Sequence, residues 1–372
     1  MVSFKHLLFL GLSFSQTTPK RIKTGEGRVQ FDFVCTISDQ TCGQVKSVLI
    51  AAGESLDNVI EIKKPIVISV KYYDFCDGNT TCRSSTVGST HASEMQLGSK
   101  YNNYNYPQAL VKQLGPREIK SGSYGLYDME ISLNAGMKFQ MVGKVKHASD
   151  EISLLDTVSH EMLHGLGFIA PFIPLSSEQN LILPIPEFNR KGCIKFTQSI
   201  FGSRLYTQKT NTPLSFFIDK LNTLSSNVTN QTAFLKPPYI ETIKELSTNL
   251  TTDGSIYFLT TNDNRVIMET GYTNYQSGSS IVHLDGAYWN TNESIMIANA
   301  MYEKGKESLA RYIGWYTAPY GPITLEILAT LGYTMKKPTW GHSSGGFIQL
   351  VRQDYENARK KRQTEHLRQH NL

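Results

Sequence analysis

The segment Thr157 to Phe168, TVSHEMLHGLGF, constrains this chain more than any other. His160 and His164 stand four residues apart, so they share one face only if the stretch is helical. The flanking pattern predicts that helix over about 150–166. Leu154, Leu155, Val158, Met162 and Leu166 fall on one arc of the wheel, while Ser153, Thr157, His160 and His164 fall on another. Gly165 and Gly167 then supply the backbone freedom with which helices commonly end. Two imidazoles so placed can hold one Zn2+ at about 2.0–2.1 Å each. Glu161 lies on a neighbouring arc, outside the ligand set but within reach of a water that the metal acidifies, which is the position of a general base.

A catalytic zinc takes a third protein ligand and keeps one position open. In the short metzincin motif that ligand is a histidine at what is here position 170, and Ala170 cannot bind zinc. The ligand must come from elsewhere. His6 lies in the leader, His342, His366 and His370 are in or near the tail, and His91 and His147 precede the helix. His283 remains, after a Gly-Ser-Ser turn, with Met296 a short way beyond it in NESIMIA. The competing ligands are Glu241 and Glu245 in YIETIKEL, a helix with no obvious apolar stripe to hold it rigidly.

HEMLHGLGF, the distant SSIVHLD, then ESIM and ITLEILATLGY together resemble the extended metzincin pattern of leishmanolysin-like metallopeptidases and related secreted zincins. In these an insertion separates the glycine from the third histidine. The resemblance implies one catalytic zinc held by His160, His164 and His283, Glu161 as general base, and a methionine turn at Met296 beneath the metal. It reaches upstream to YDMEISLN and covers most of the chain after about Gln44, though it is specific only around the ligands and the C-terminal helix. A family-type edge strand holds a peptide by strand addition; Asp128, Glu130, Ser132 and Asn134 fit it, alternating with Met129, Ile131 and Leu133. There are departures. Ala298 stands where some metzincin branches carry a tyrosine after the turn methionine, which leaves Tyr288 and Tyr302 as candidate transition-state stabilisers. The segment ahead of the catalytic region is also too short for the long inhibitory prosegment of leishmanolysins.

The rest of the chain places this chemistry outside the cell. Residues 1–15 read as a secretory signal, with Lys5, an apolar run and small Ser13 and Ser15 before the cleavage point. Asn79, Asn227, Asn230, Asn249 and Asn292 each begin a glycosylation sequon. Cys35, Cys42, Cys76 and Cys82 can form two disulfides of open connectivity, with Cys193 left over. A net charge of +5, scattered until the tail ARKKRQTEHLRQHNL, leaves no basic stripe for nucleic acid. No apolar run is long enough to span a bilayer.

The expected fold is α+β and metzincin-type: an N-terminal zincin subdomain over 16–168, with a twisted sheet and the active-site helix, and an inserted subdomain over 169–280. A C-terminal subdomain over 281–336, with third ligand, methionine turn and final helix, precedes a basic polar tail over 337–372. The expected function is that of a secreted zinc metalloendopeptidase acting on a protein or peptide substrate. The alternative is a secreted binding protein on the same scaffold with vestigial activity. Oligomeric state stays open.

Overall fold

The computed structural model describes residues 19–77, 84–115, 123–141, 151–169, 172–176, 180–188, 194–224, 231–272, 274–290, 293–298 and 319–336. The expected leader and tail lie outside the described residues, as do Ala170, Asn79, Asn227, Asn230, Asn292, Cys82, Cys193 and Tyr302.

Strands β1 (Lys20–Lys23) and β2 (Val29–Cys35) pair antiparallel, and helix α1 (Asp39–Val59) crosses over to β3 (Ile66–Tyr73), which runs parallel to β2. Ser38 caps α1 by accepting a bond from the Thr41 N–H. Val45, Val48, Leu49, Ala52, Leu56 and Val59 make its buried stripe, spaced as a 3.6-residue helix requires. A Cys35–Cys42 disulfide, with Cα atoms 5.9 Å apart, ties the end of β2 to the start of α1. Cys76 is disulfide-bonded as well.

Next come β4 (Gly88–Ala92), then β5 (Glu94–Gln96) paired with β6 (Asn105–Pro107), and α2 (Gln108–Leu114), which starts directly after Pro107. Strand β7 (Met129–Asn134) completes a five-stranded mixed sheet of order β1-β2-β3-β7-β4. It is parallel to β3 and antiparallel to β4. β8 (Phe139–Gln140) pairs with β9 (Ile152–Ser153), and α3 (Leu154–Leu166) follows at once, capped by the Ser153 hydroxyl. Helix α1 packs on β1 and β2, α3 packs on β7 and β4, and the two helices touch. That arrangement sets α3 beside β4, the last strand of the sheet on this side.

This topology corrects the expected substrate strand. β7 is hydrogen-bonded on both sides, so Asp128, Glu130, Ser132 and Asn134 offer no free edge; among the described residues the sheet ends on this side at β4. Asp128 is instead wholly buried, accepting bonds from Val67 N–H at 2.7 Å, Gln108 Nε2 at 2.9 Å and Lys112 Nζ at 2.7 Å. Asn134 is buried too, donating to Thr86 O and accepting from Phe75 and Gly136 N–H.

Beyond α3, β10 (Phe172–Ser176) pairs with β11 (Leu181–Pro184), and β12 (Pro186–Phe188) with β13 (Ile194–Phe196). β14 (Leu205–Thr207), β15 (Ile256–Leu259) and β16 (Arg265–Ile267) form an antiparallel three-stranded sheet. Helices α4 (Leu214–Leu224) and α5 (Tyr239–Thr251) lie between β14 and β15 and pack on each other. The stripe judged missing from α5 is present as buried Ile240, Ile243, Leu246 and Leu250; Thr242 and Ser247, buried among them, obscure it in the sequence. Helix α6 (Pro322–Leu331) ends at Gly332. One apolar cluster runs from Ile22 to Tyr333 and draws on all of these regions. The protein is therefore α+β, and no described helix is long and apolar enough to cross a membrane.

Candidate metal centre

Two segments bring the three histidines together. Helix α3 presents His160 and His164 one turn apart. His283 arrives from the far side of the sequence on a tight turn in which Ser279 and Ser280 N–H both bond Gln276 O. Ile281 holds φ at +60°, a costly conformation for a β-branched residue, and its N–H bonds Glu269 O. The His283 carbonyl accepts from Glu269 N–H, and Leu284 N–H bonds Met296 O at 2.7 Å, so the backbone is fixed on both sides of the His283 ring.

The three Nε2 atoms face one another. His160 to His164 is 3.1 Å, His160 to His283 is 3.1 Å, and His164 to His283 is 3.3 Å. Each opposite ring nitrogen meets a backbone carbonyl: His160 Nδ1 to Ile295 O at 2.5 Å, His164 Nδ1 to Phe168 O at 2.9 Å and His283 Nδ1 to Ser279 O at 2.8 Å. A carbonyl only accepts, so each Nδ1 carries the hydrogen and each neutral ring turns a bare Nε2 lone pair to the centre. Burial lowers the His160 pKa to about 3, with His164 adding to the effect, and burial likewise lowers His164 and takes His283 well below 6.5. Three lone pairs at this spacing repel unless a cation sits between them. A tetrahedral site with bonds of about 2.0–2.1 Å has ligand–ligand edges of about 3.3–3.4 Å, close to those found. The three residues are placed closely enough to hold one metal ion, and they are the only such group among the described residues.

Local sequence explains the rings' orientation. Gly167, at φ +136°, ends α3 with its N–H on His164 O and brings the Phe168 carbonyl back under the His164 ring. Gly165 has a different task. A Cβ there would lie 2.2 Å from Met129 Sδ and 2.9 Å from Met129 Cβ, so this glycine lets α3 approach β7; the expectation that it serves the helix end is corrected. Met296 is fully buried in a short turn, Ser294–Met296, that packs on α3 and contains the Ile295 carbonyl bonded to His160.

Glu161 is 5 % exposed, and burial raises its pKa to about 7 against the opposing bond from Thr90. Thr90 Oγ1 lies 2.6 Å from Glu161 Oε2, a contact between β4 and α3 that the sequence did not suggest. Glu241 and Glu245 are exposed on α5, which packs on β11 and α4, and they are not part of the histidine cluster. Tyr288 is buried, and Asn249 is partly exposed in the last turns of α5. His91 is exposed on β4 in register with Glu130.

Fold and site together define an α+β protein with a three-histidine cluster in which His160 and His283 are buried and His164 is partly exposed. More particularly, the chain belongs to the SPBPB7E8-like family, whose sequence profile matches residues 12–186 and 187–345. No curated protein and no solved structure matches it.

Proposed function

We propose that the protein is a secreted zinc metalloendopeptidase of metzincin type, akin to the leishmanolysin-like enzymes. The observation that carries the reading is the convergence of three Nε2 lone pairs, two of them on the helix that also carries the buried Glu161. Three neutral imidazoles and no described cysteine in the group suit zinc with an open position rather than a closed structural site. Met296 in the turn bonded to His160, and the position of β4 beside α3 at the end of the described sheet, support the same assignment. Bound there, zinc supplies Lewis acidity. Glu161 takes a proton from the attacking water and passes it to the departing amine nitrogen. The edge of β4 is the place where an extended peptide can add as a strand. The leader, the sequons and the Cys35–Cys42 disulfide support export and glycosylation.

Purified protein is expected to carry about one zinc per chain and to cleave a peptide library in a chelator-sensitive way. His283→Ala should lose the metal, and retention of a full equivalent would remove His283 from the ligand set. Glu161→Gln should keep the zinc and lose turnover by at least about a hundredfold. Stoichiometric zinc with no cleavage of any peptide would point instead to an interaction protein on this scaffold.

A further inference from the structure

The inner face of β4 is built from small residues. Gly88, Thr90 and Ala92 alternate with the exposed Ser89 and His91, so the first three turn towards α3. Thr90 Oγ1 lies 2.6 Å from Glu161 Oε2 and 3.0 Å from the Glu161 backbone carbonyl. The shorter contact has the length of a hydroxyl donating to a charged carboxylate. Two positions earlier, a Cβ on Gly88 would stand 2.8 Å from Glu161 Oε1 and 3.2 Å from its Cδ and Cγ. The carboxylate thus lies against the bare backbone at Gly88 while Thr90 holds its other oxygen.

We infer that Thr90 is the positioning residue for Glu161 and that Gly88 clears the space in which the carboxylate sits. This rests on Glu161 being the proton acceptor of the proposed hydrolysis. A glutamate on a helix has several rotamers open to it, whereas Thr90 is β-branched and fixed on a paired strand. Its hydroxyl selects one rotamer by engaging Oε2, with Oε1 against the backbone at Gly88, so the carboxylate is held in one orientation on α3. The bond also joins the edge strand to the base, so any displacement of β4 moves the carboxylate.

The test uses full-length, zinc-loaded protein and its Thr90→Val, Thr90→Ser and Gly88→Ala variants. Thr90→Val keeps the shape and loses the hydroxyl. It is expected to retain zinc, to lower kcat roughly 10- to 100-fold with KM changed less than about twofold, and to be rescued to within about threefold by Thr90→Ser. Gly88→Ala should lower kcat with zinc retained. A readout independent of turnover is the visible spectrum of the cobalt-substituted protein, where Thr90→Val should shift the bands as Glu161→Gln does and Thr90→Ser should not. Wild-type kcat and an unshifted spectrum in Thr90→Val, a Thr90→Ser no better than Thr90→Val, or loss of metal from Thr90→Val would each overturn the assignment. If the wild type cleaves nothing, yet Thr90→Val shifts the cobalt bands as Glu161→Gln does, the positioning role stands and the protease reading fails.

Discussion

At the scale of single residues, the centre depends on groups that leave little trace in a local pattern. His160, Glu161 and His164 were legible because one helix carries all three at a spacing that few other structures use. His283 was reachable by elimination among the histidines. The carbonyls of Ile295, Phe168 and Ser279, which fix the ring tautomers, belong to residues of no distinctive chemistry, and only the folded backbone brings them to the rings. Gly165 shows the same limit: near a helix end a glycine reads as a terminator, but here it makes room for Met129, a partner on another element. Gly165→Ala should therefore destabilise the protein by roughly 1–3 kcal/mol in urea unfolding, because the clash includes Met129 Cβ and cannot be relieved by a rotamer change alone. Combined with Met129→Ala, the two costs should be less than additive. Additive costs would show that the two residues do not meet.

At the scale of elements, the strand that carries Asp128 to Asn134 was recognisable, but its neighbours were not. Alternating Met129, Ile131 and Leu133 identify one buried face, yet that pattern is the same for an edge and for an interior strand. The last described strand on this side of the sheet, β4, has a buried side of Gly88, Thr90 and Ala92, too small to register as apolar periodicity. Another link between elements is Glu293. Its carboxylate accepts from Ile323 and Thr324 N–H at 2.8 and 2.9 Å and from the Thr324 hydroxyl at 2.9 Å, so it caps α6 where Gly321 has no side chain to do so. It lies next to the turn Ser294–Met296, and thereby ties α6 to the segment under His160. Burial raises the Glu293 pKa from 4.5 to about 7, with the three donors at α6 opposing the shift and Glu326 of the same helix adding to it. A pKa higher in the folded than in the unfolded chain means that folding takes up a proton. The contribution is complete below about pH 4.5 and is lost as pH rises through about 7. At about 1.4 kcal/mol per pH unit the change is on the order of 3 kcal/mol. Glu293→Gln should remove it, so that between pH 5 and pH 8 the variant loses less stability than the wild type. Parallel pH curves for the two proteins would refute this.

At the scale of the whole molecule, the centre joins parts of the chain that are distant in sequence, with His164 and His283 separated by 119 positions. The helices and strands between them were partly visible as local patterns. Their sharing of one core was not, because Phe168, Phe201 and Phe258 come from separate segments and meet as tilted rings at centroid distances of 5.5 and 5.1 Å. On the proposed reading, a metal bound by all three histidines would cross-link α3 to the turn at His283 and would bind only the folded chain. With free zinc at about 100 times its dissociation constant, the native state gains about 2.7 kcal/mol. Given an unfolding entropy of about 2.1 cal/mol/K per residue, a chain of 372 residues should gain roughly 3–4 °C in Tm. The gain should be local in origin. The five-stranded sheet and α1 owe their order to apolar burial, whereas the turn at Ile281 and His283 holds a costly backbone conformation against lone-pair repulsion. Chelation is expected to raise amide hydrogen exchange first over 276–285 and 293–298, then in the last turn of α3, while β2, β3 and β7 keep their protection. Uniform loss of protection across the sheet and the His283 segment would mean that the metal supports the entire fold. No change in Tm or exchange on chelation would mean that the three histidines bind no metal.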